Sequence, residues 1–235
     1  MMRMISFLLF YSFLFGTNIP FKVGETLSYQ ASFSGLDAAT GKLKVIEKEI
    51  VNDISTFHVR FTARTHGFAD YLFPIHDVID LWLNDKTLLP VKVIKNISEG
   101  NYKKKRETLL NQKAGYAIVN KDTILIEMGT HSPYSLFYYF RNEDLRIQDI
   151  KSFSTIDGKQ VTSLEMQFNR GIQIKVPAGE FLCTEVTPVR FDQKKFKNDA
   201  KMAIWFTNDD ARIPAQIWLK LKFGALILKL KTVSN

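Results

Sequence analysis

The sequence predicts an all-β protein: a curved antiparallel sheet, or open half barrel, with one short helix packed on its concave side. Three observations predict it. Apolar and polar residues alternate with period two through most of the chain. Clusters of Gly, Asn and Asp, such as Gly100-Asn101, Asp157-Gly158 and Asn208-Asp209-Asp210, punctuate the alternating runs. Only two short stretches depart from the pattern toward helix. Alternation of this kind marks strands with one buried and one wet face, which is the pattern of antiparallel sheets.

The chain opens on "MMRMISFLLFYSFLFGTNIP". Arg3 precedes an apolar run from Ile5 to Phe15, interrupted only by Ser6, Ser12 and the Tyr11 hydroxyl, and a polar break follows at Gly16 and Thr17. That is the build of a secretory signal peptide, too short for a transmembrane helix. Residues 1–18 are therefore expected to be a signal peptide, cleaved within Gly16 to Ile19, and residues 19–235 a single exported β-rich domain. No Cys follows the run, so lipid attachment there has no acceptor. The mature chain is expected to lie in the periplasm or envelope without a transmembrane span.

The first strand is "ETLSYQASF", with Leu27, Tyr29, Ala31 and Phe33 on one face and Thr26, Ser28, Gln30 and Ser32 on the other. In "STFHVRFTAR", Phe57, Val59, Phe61 and Ala63 oppose Thr56, His58, Arg60, Thr62 and Arg64. From Ile213, residues Ala215, Ile217, Leu219 and Leu221 alternate with Gln216, Trp218, Lys220 and Lys222. Further strands are predicted near 41–51, 75–84, 89–98, 101–110, 116–119, 123–128, 150–156, 160–168, 171–176, 180–190, 201–207 and 225–233. No linker, repeat or low-complexity tract divides them.

Of the two helical stretches, Gly67 to Phe73 is short and apolar. The other, "SPYSLFYYFR" and Asn142, starts with Ser132 as N-cap and Pro133 at the first helical position. On a helix Leu136, Phe137 and Phe140 share one face, while Tyr134, Tyr138 and Arg141 share another. Burial of the apolar face against the sheet accounts for the phenylalanines. If the curved sheet leaves room beneath the helix, Leu136, Phe137 and Phe140 roof an apolar pocket with Tyr138 and Arg141 at its mouth. These five are the candidate binding residues, and Arg141 would engage an anionic head group.

Composition narrows the chemistry. The 235 residues carry a formal charge of +8, but Lys and Arg are spread along the chain and only Lys103, Lys104, Lys105 and Arg106 form a run. No nucleic-acid module accompanies them, so no nucleic-acid partner is expected. The single Cys, Cys183, sits inside an apparent strand and reads as a small buried hydrophobe. His58, His66, His76 and His131 have no metal-binding spacing, and His76, Asp77 and Asp80 cannot share one strand face, so no metal and no cofactor are expected. No nucleophile elbow, phosphate-binding loop or dinucleotide fingerprint occurs. The carboxylate pairs Glu143-Asp144 and Asp209-Asp210 stand in apparent turns.

The blocks "FKVGETLSYQASF", "SPYSLFYYFR", "VPAGEFLCTEVTPV" and "IWFTNDDARIPAQI" resemble successive blocks of an exported bacterial family catalogued as domain of unknown function 3108. Its pattern falls here on Val23, Gly24 and Glu25; on Ser135, Tyr138 and Arg141; on Pro177, Ala178, Gly179 and Phe181; and on Trp205, Asp209, Arg212 and Pro214. The family usually has an acid where the helix begins. Ser132 stands here, an equally good cap. The resemblance implies an envelope location, an extended antiparallel sheet and no assigned activity, and it carries over no catalytic residue. A long one-sided sheet with a small helix is also similar to the half barrels of lipoprotein carriers, an analogy of fold that does not establish function.

The function expected from the sequence is that of a non-enzymatic cell-envelope protein, one that binds a lipid or other amphipathic ligand or scaffolds envelope protein partners. The alternative is an envelope hydrolase using dispersed carboxylates. A packed interior favours the scaffold, an open apolar trough the carrier, and a polar cleft with facing carboxylates the enzyme.

Overall fold

Antiparallel pairing between strands that follow one another in the chain builds nearly the whole molecule. The structure is a computed structural model that describes residues 19–147, 150–190, 201–221 and 224–235; the expected signal peptide lies outside the described residues. A first meander comprises β1 (Thr26–Phe33), β2 (Leu36–Val51), β3 (Ile54–Thr65), β4 (His76–Asn84), β5 (Pro90–Glu99), β6 (Tyr102–Asn111), β7 (Tyr116–Val119) and β8 (Asp122–Leu125). A second comprises β9 (Lys151–Asp157), β10 (Gln160–Val176), β11 (Gly179–Arg190), β12 (Lys201–Thr207), β13 (Pro214–Leu221) and β14 (Gly224–Ser234). Pairing of β14 with β1 fuses the two into one 14-stranded sheet whose edges are β8 and β9. Helix α1 (Gly67–Leu72) interrupts the β3–β4 connection, and α2 (Ser135–Asn142) lies between the meanders.

The turns follow from residues that tolerate positive φ. Asn52 and Asp53, at φ 50° and 60°, make the two-residue turn between β2 and β3, the geometry that matches strand twist. Gly100 at the β5–β6 turn has φ +55°, and a Cβ there would stand 2.8 Å from the Phe73 ring. The stretches expected as strands at 160–168 and 171–176 are one strand, β10. Its ladder shifts register between Asn169 and Ile172, around Gly171 at φ +74°.

The sheet curls until its halves touch, but it does not close into a barrel, because β8 and β9 share no ladder. A strap after β8 spans the gap. Ile126 donates its N–H to Gly115 O at 2.9 Å, and His131 exchanges backbone hydrogen bonds with Ser154 and Ile156 of β9, both at 2.8 Å. Lys95 of β5 reaches Asp157 at the end of β9, 2.7 Å away. Inside the curl, Leu27, Tyr29, Leu43, Val45, Val59, Leu81, Phe206 and Leu230 surround α2 in one apolar core. The inward faces read from alternation are buried at Leu27, Tyr29, Ala31, Phe57, Val59, Ala215 and Ile217, whereas Phe33 at the end of β1 is exposed. Thr56 and His58, on the face expected to be wet, are buried as well; the Trp82 ring stacks on His58 at 4.5 Å, and Thr56 Oγ1 donates to Glu49 O at 2.8 Å.

Cys183 on β11 has no exposed surface. Burial, reinforced by the nearby Asp209 carboxylate, pushes its thiol up to about 12. Cys183→Ala should lower unfolding free energy by about 1 kcal/mol. The native protein should resist thiol reagents until it unfolds. Rapid labelling under native conditions would show that the strand opens there.

Candidate functional site

Helix α2 begins later than expected, at Ser135, with Tyr134 and not Ser132 in the N-cap position. Ser132 Oγ accepts the Ser135 N–H at 3.0 Å, and Ser135 Oγ accepts the Ser132 N–H at 3.0 Å. This reciprocal capping satisfies donors at a helix start. The regular helix is shorter than the expected 132–142 stretch because Pro133 and Tyr134 form a turn ahead of it. The five candidate binding residues, Leu136, Phe137, Tyr138, Phe140 and Arg141, are all buried. The helix is not a roof over a trough. The sheet wraps both of its faces, so Tyr138 and Arg141 stand in the interior and not at a mouth.

Arg141, with 1% of its surface exposed, is bound on every side. Its Nη1 and Nη2 donate to the two Glu25 carboxylate oxygens at 2.5 and 2.9 Å. Nη2 also reaches Pro20 O at 3.2 Å, and Nε donates to Ala211 O at 3.2 Å. The Phe21 ring lies 5.3 Å from the guanidinium. Arg212 Nε donates to the Arg141 carbonyl, Asp209 accepts the Arg212 N–H at 3.0 Å, and the Tyr29 hydroxyl donates to Pro214 O at 2.8 Å. Three of the sequence blocks therefore meet at one guanidinium. Sequence reading had no means to pair Arg141 with Glu25, since neither periodicity nor a motif links two chain segments so far apart. The Tyr138 hydroxyl, buried beside them, has no hydrogen-bond partner among the described residues. Burial raises its pKa far above the ordinary tyrosine value.

A cleft of about 370 Å³ opens where the strap meets β9, lined by Leu89, Glu127, His131, Tyr139, Phe153 and Ser154 among others. None of the five candidate residues lines it; Tyr139, which lies between them in sequence, does. His131 at its wall is buried, with Nδ1 3.1 Å from Ser135 Oγ. Three of the four carboxylates in the expected pairs are engaged locally. Asp144 binds Arg146 through both oxygens at 2.8 Å, Glu143 meets Lys151 at 2.9 Å, and Asp209 holds its turn through Thr207 at 2.7 Å.

One end of the molecule is different in character. No residue of α1 is buried: Phe68, Tyr71 and Leu72 are exposed, with Phe73 beside them. The Phe73 ring abuts Gly100, whose N–H donates to Pro74 O at 2.8 Å, so α1 packs against the β5–β6 turn. From that turn Tyr102, Lys103, Lys104 and Lys105 project, all exposed. The β1–β2 turn comes to the same end, where His66 N donates to Ala38 O at 3.1 Å and Leu36 is exposed.

The family model described as "Protein of unknown function (DUF3108)" matches residues 28–231. The chain belongs to that family. As a DUF3108 protein it is similar to a β-barrel-like protein of the DUF1849 family from Brucella abortus, with TM-score 0.58 and 14% identity over 90% of this chain and 97% of that one. At that identity the likeness concerns the fold. Weaker likenesses are to a presumed lipoprotein from Parabacteroides distasonis (TM-score 0.40, 11% identity, covering 91% and 96%) and to a presumed exported protein with a YmcC-like fold from Bacteroides fragilis (0.37, 11%, covering 92% and 98%). No curated protein matches the DUF3108 chain. No helix among its described residues is long and apolar enough to cross a membrane.

The DUF3108 lock at Arg141 and the strap at His131 give two tests. Arg141→Met leaves the Glu25 carboxylate buried and unpaired and should cost about 3–5 kcal/mol, as loss of one partner of a buried pair does. Adding Glu25→Gln should recover part of that loss in denaturant melts, and additive losses would show that the two side chains are not coupled. Burial, with Lys151 adding repulsion, lowers the His131 pKa from 6.5 to about 4. The unfolded chain therefore binds a proton more readily than the folded one between those values. The stability involved is fully present above pH 6.5 and is lost as pH falls toward 4, by up to roughly 3 kcal/mol. His131→Gln should flatten the fall in melting temperature across this window. An unchanged slope would place the acid sensitivity elsewhere.

Proposed function

We propose that this protein is an exported, non-enzymatic β scaffold that docks by one end on an anionic lipid surface of the cell envelope. The observation that carries the reading is the end built by α1 and the β5–β6 turn, where exposed Phe68, Tyr71 and Leu72 stand beside Tyr102 and the exposed Lys103, Lys104 and Lys105. Apolar and aromatic side chains exposed together mark interaction surfaces. Aromatic side chains favour the membrane interface, and adjacent lysines are attracted to anionic head groups. Export rests on the sequence, on Arg3 and the apolar run from Ile5 to Phe15. The filled interior supports a scaffold over a carrier, because α2 occupies the space where an enclosed ligand would sit. A hydrolase finds less support, since Asp144, Glu143 and Asp209 are tied to neighbouring side chains.

The test is sedimentation with phosphatidylcholine vesicles, with and without phosphatidylglycerol. The native protein should pellet with the anionic vesicles and much less with the neutral ones. At about 1 kcal/mol for each lysine near a charged surface, replacing Lys103, Lys104 and Lys105 by Glu should weaken that partition by at least roughly a hundredfold. Tyr71→Ser with Leu72→Ser should weaken it in both kinds of vesicle, at unchanged melting temperature. A native protein that stays in solution with both vesicle types would overturn the lipid reading and turn attention to a protein partner at the same end.

A further inference from the structure

On the outer face of the sheet, away from the lock and from the docking end, β2 and β3 bring together an acidic pair and a buried histidine. β2 pairs regularly with β3 up to Val45 opposite Val59, then slips so that Glu47 stands opposite His58. That bulge inserts one residue, Ile46, and reverses which side chains of β2 face outward. Before it Leu43 and Val45 point into the core; after it Glu47 and Glu49 join His58 on the outer face. Bulges commonly re-aim side chains in this way beside functional sites.

The histidine has an assigned orientation. His58 Nε2 lies 2.7 Å from Asp80 Oδ1, which also accepts Arg60 Nε at 2.7 Å. The oxygen that accepts the Arg60 N–H is an acceptor toward His58 as well, so Nε2 carries the proton it accepts. The stacked Trp82 ring, 4.5 Å away and 11° from parallel, fixes the imidazole plane, and Trp82 Nε1 donates to Glu49 Oε1. This leaves Nδ1. His58 is 8% exposed, and its buried Nδ1 has no hydrogen-bond partner among the described residues. Its nearest acidic atoms are Glu49 Oε1 at 3.6 Å and Glu47 Oε1 at 3.9 Å.

Those separations are too long for hydrogen bonds, which run about 2.7–3.2 Å for N–H···O. They are close to what a metal imposes, since legs of about 2.0–2.2 Å place tetrahedral ligand atoms roughly 3.4 Å apart. The donor atoms of Glu47, Glu49 and His58 lie within 4.8 Å of one another. A neutral imidazole lone pair aimed at two carboxylates is repelled by them, and a metal ion between them turns that repulsion into attraction.

The geometry points to a divalent transition-metal site, with zinc the expected ion, in which His58 Nδ1 and the Glu47 and Glu49 carboxylates bind the metal and Asp80 orients the histidine. A carboxylate behind a metal-binding histidine is the usual supporting arrangement, and a mixed imidazole and carboxylate set suits zinc better than calcium or magnesium. Three protein ligands leave a coordination position for water. Arg60, 2.7 Å from Asp80, is the neighbouring cation that limits the charge the site accumulates. Glu47, Glu49 and His58 are ligands in this reading, and Asp80 is a positioning residue.

The experiment is calorimetric titration of the whole chain, stripped by chelator, with Zn²⁺, together with visible spectra of the Co²⁺-loaded protein. One ion should bind each chain. Glu47→Gln with Glu49→Gln, partly exposed changes that should leave the metal-free melting temperature unaltered, should weaken zinc at least tenfold. Asp80→Asn keeps all three ligands and should weaken it about 10–100-fold, with altered Co²⁺ bands that a merely structural role would not produce. His58→Gln should abolish the bands; if it fails to fold, the Glu47 and Glu49 variants decide the matter alone. Absence of stoichiometric binding would overturn the assignment. So would zinc binding that the Glu47 and Glu49 changes leave intact, since exposed His66 and His76 would then be the sites.

Discussion

The guanidinium of Arg141, buried and paired with the Glu25 carboxylate, is the constraint around which the interior is arranged. A charge removed from water is costly unless its partner and its remaining hydrogen bonds are all supplied. Here they come from two places far apart in the chain: Glu25 and Pro20 ahead of β1, and Ala211 in the β12–β13 turn. Arg212 then binds the Arg141 carbonyl at the end of α2, where a helix leaves carbonyls without partners. Apolar side chains of matching volume often replace such a pair at no cost in stability. A slide of α2 within the curl would leave the charge unpaired.

That constraint explains what the sequence made legible and what it hid. Strands such as β1 and β13 announced themselves by alternation, because each has one face toward the core. The turns at Gly100-Asn101 and Asp157-Gly158 carried local signals of their own. Burial of Tyr138 and Arg141 did not. Read alone, the helix is amphipathic, and amphipathic helices ordinarily keep one face wet. The wet face is absent because the sheet curls around α2, and curl is a property of the whole sheet. The partner of Arg141 stands 116 residues away in sequence. A single sequence contains no signal that joins two such positions.

The outer face hid more, for a different reason. Strand alternation assigns Glu47 to the side of Val45, two residues away, and places it in the core. Only the bulge reverses that assignment, and the neighbouring residues, Ile46 among them, carry no glycine or proline to announce it. Reading His58 as one more polar residue on a wet strand face follows from the same regularity. Its burial depends on Trp82 from the next strand.

The regular ladder thus holds the protein in shape, while its candidate functions sit where the ladder is broken. Beneath His58 the core residues Val45 and Val59 are wholly buried, so the imidazole has no room to move inward and Nδ1 keeps its aim. At the docking end β3 and β4 pair as far as Arg64 opposite His76, and α1 is an excursion between two strands already in register. Extra residues inserted into a continuous sheet in this way do not strain its core, and they need bury nothing. An excursion that exposes Phe68, Tyr71 and Leu72 has no packing reason for its apolar side chains. The proposed contact with a lipid surface would supply one.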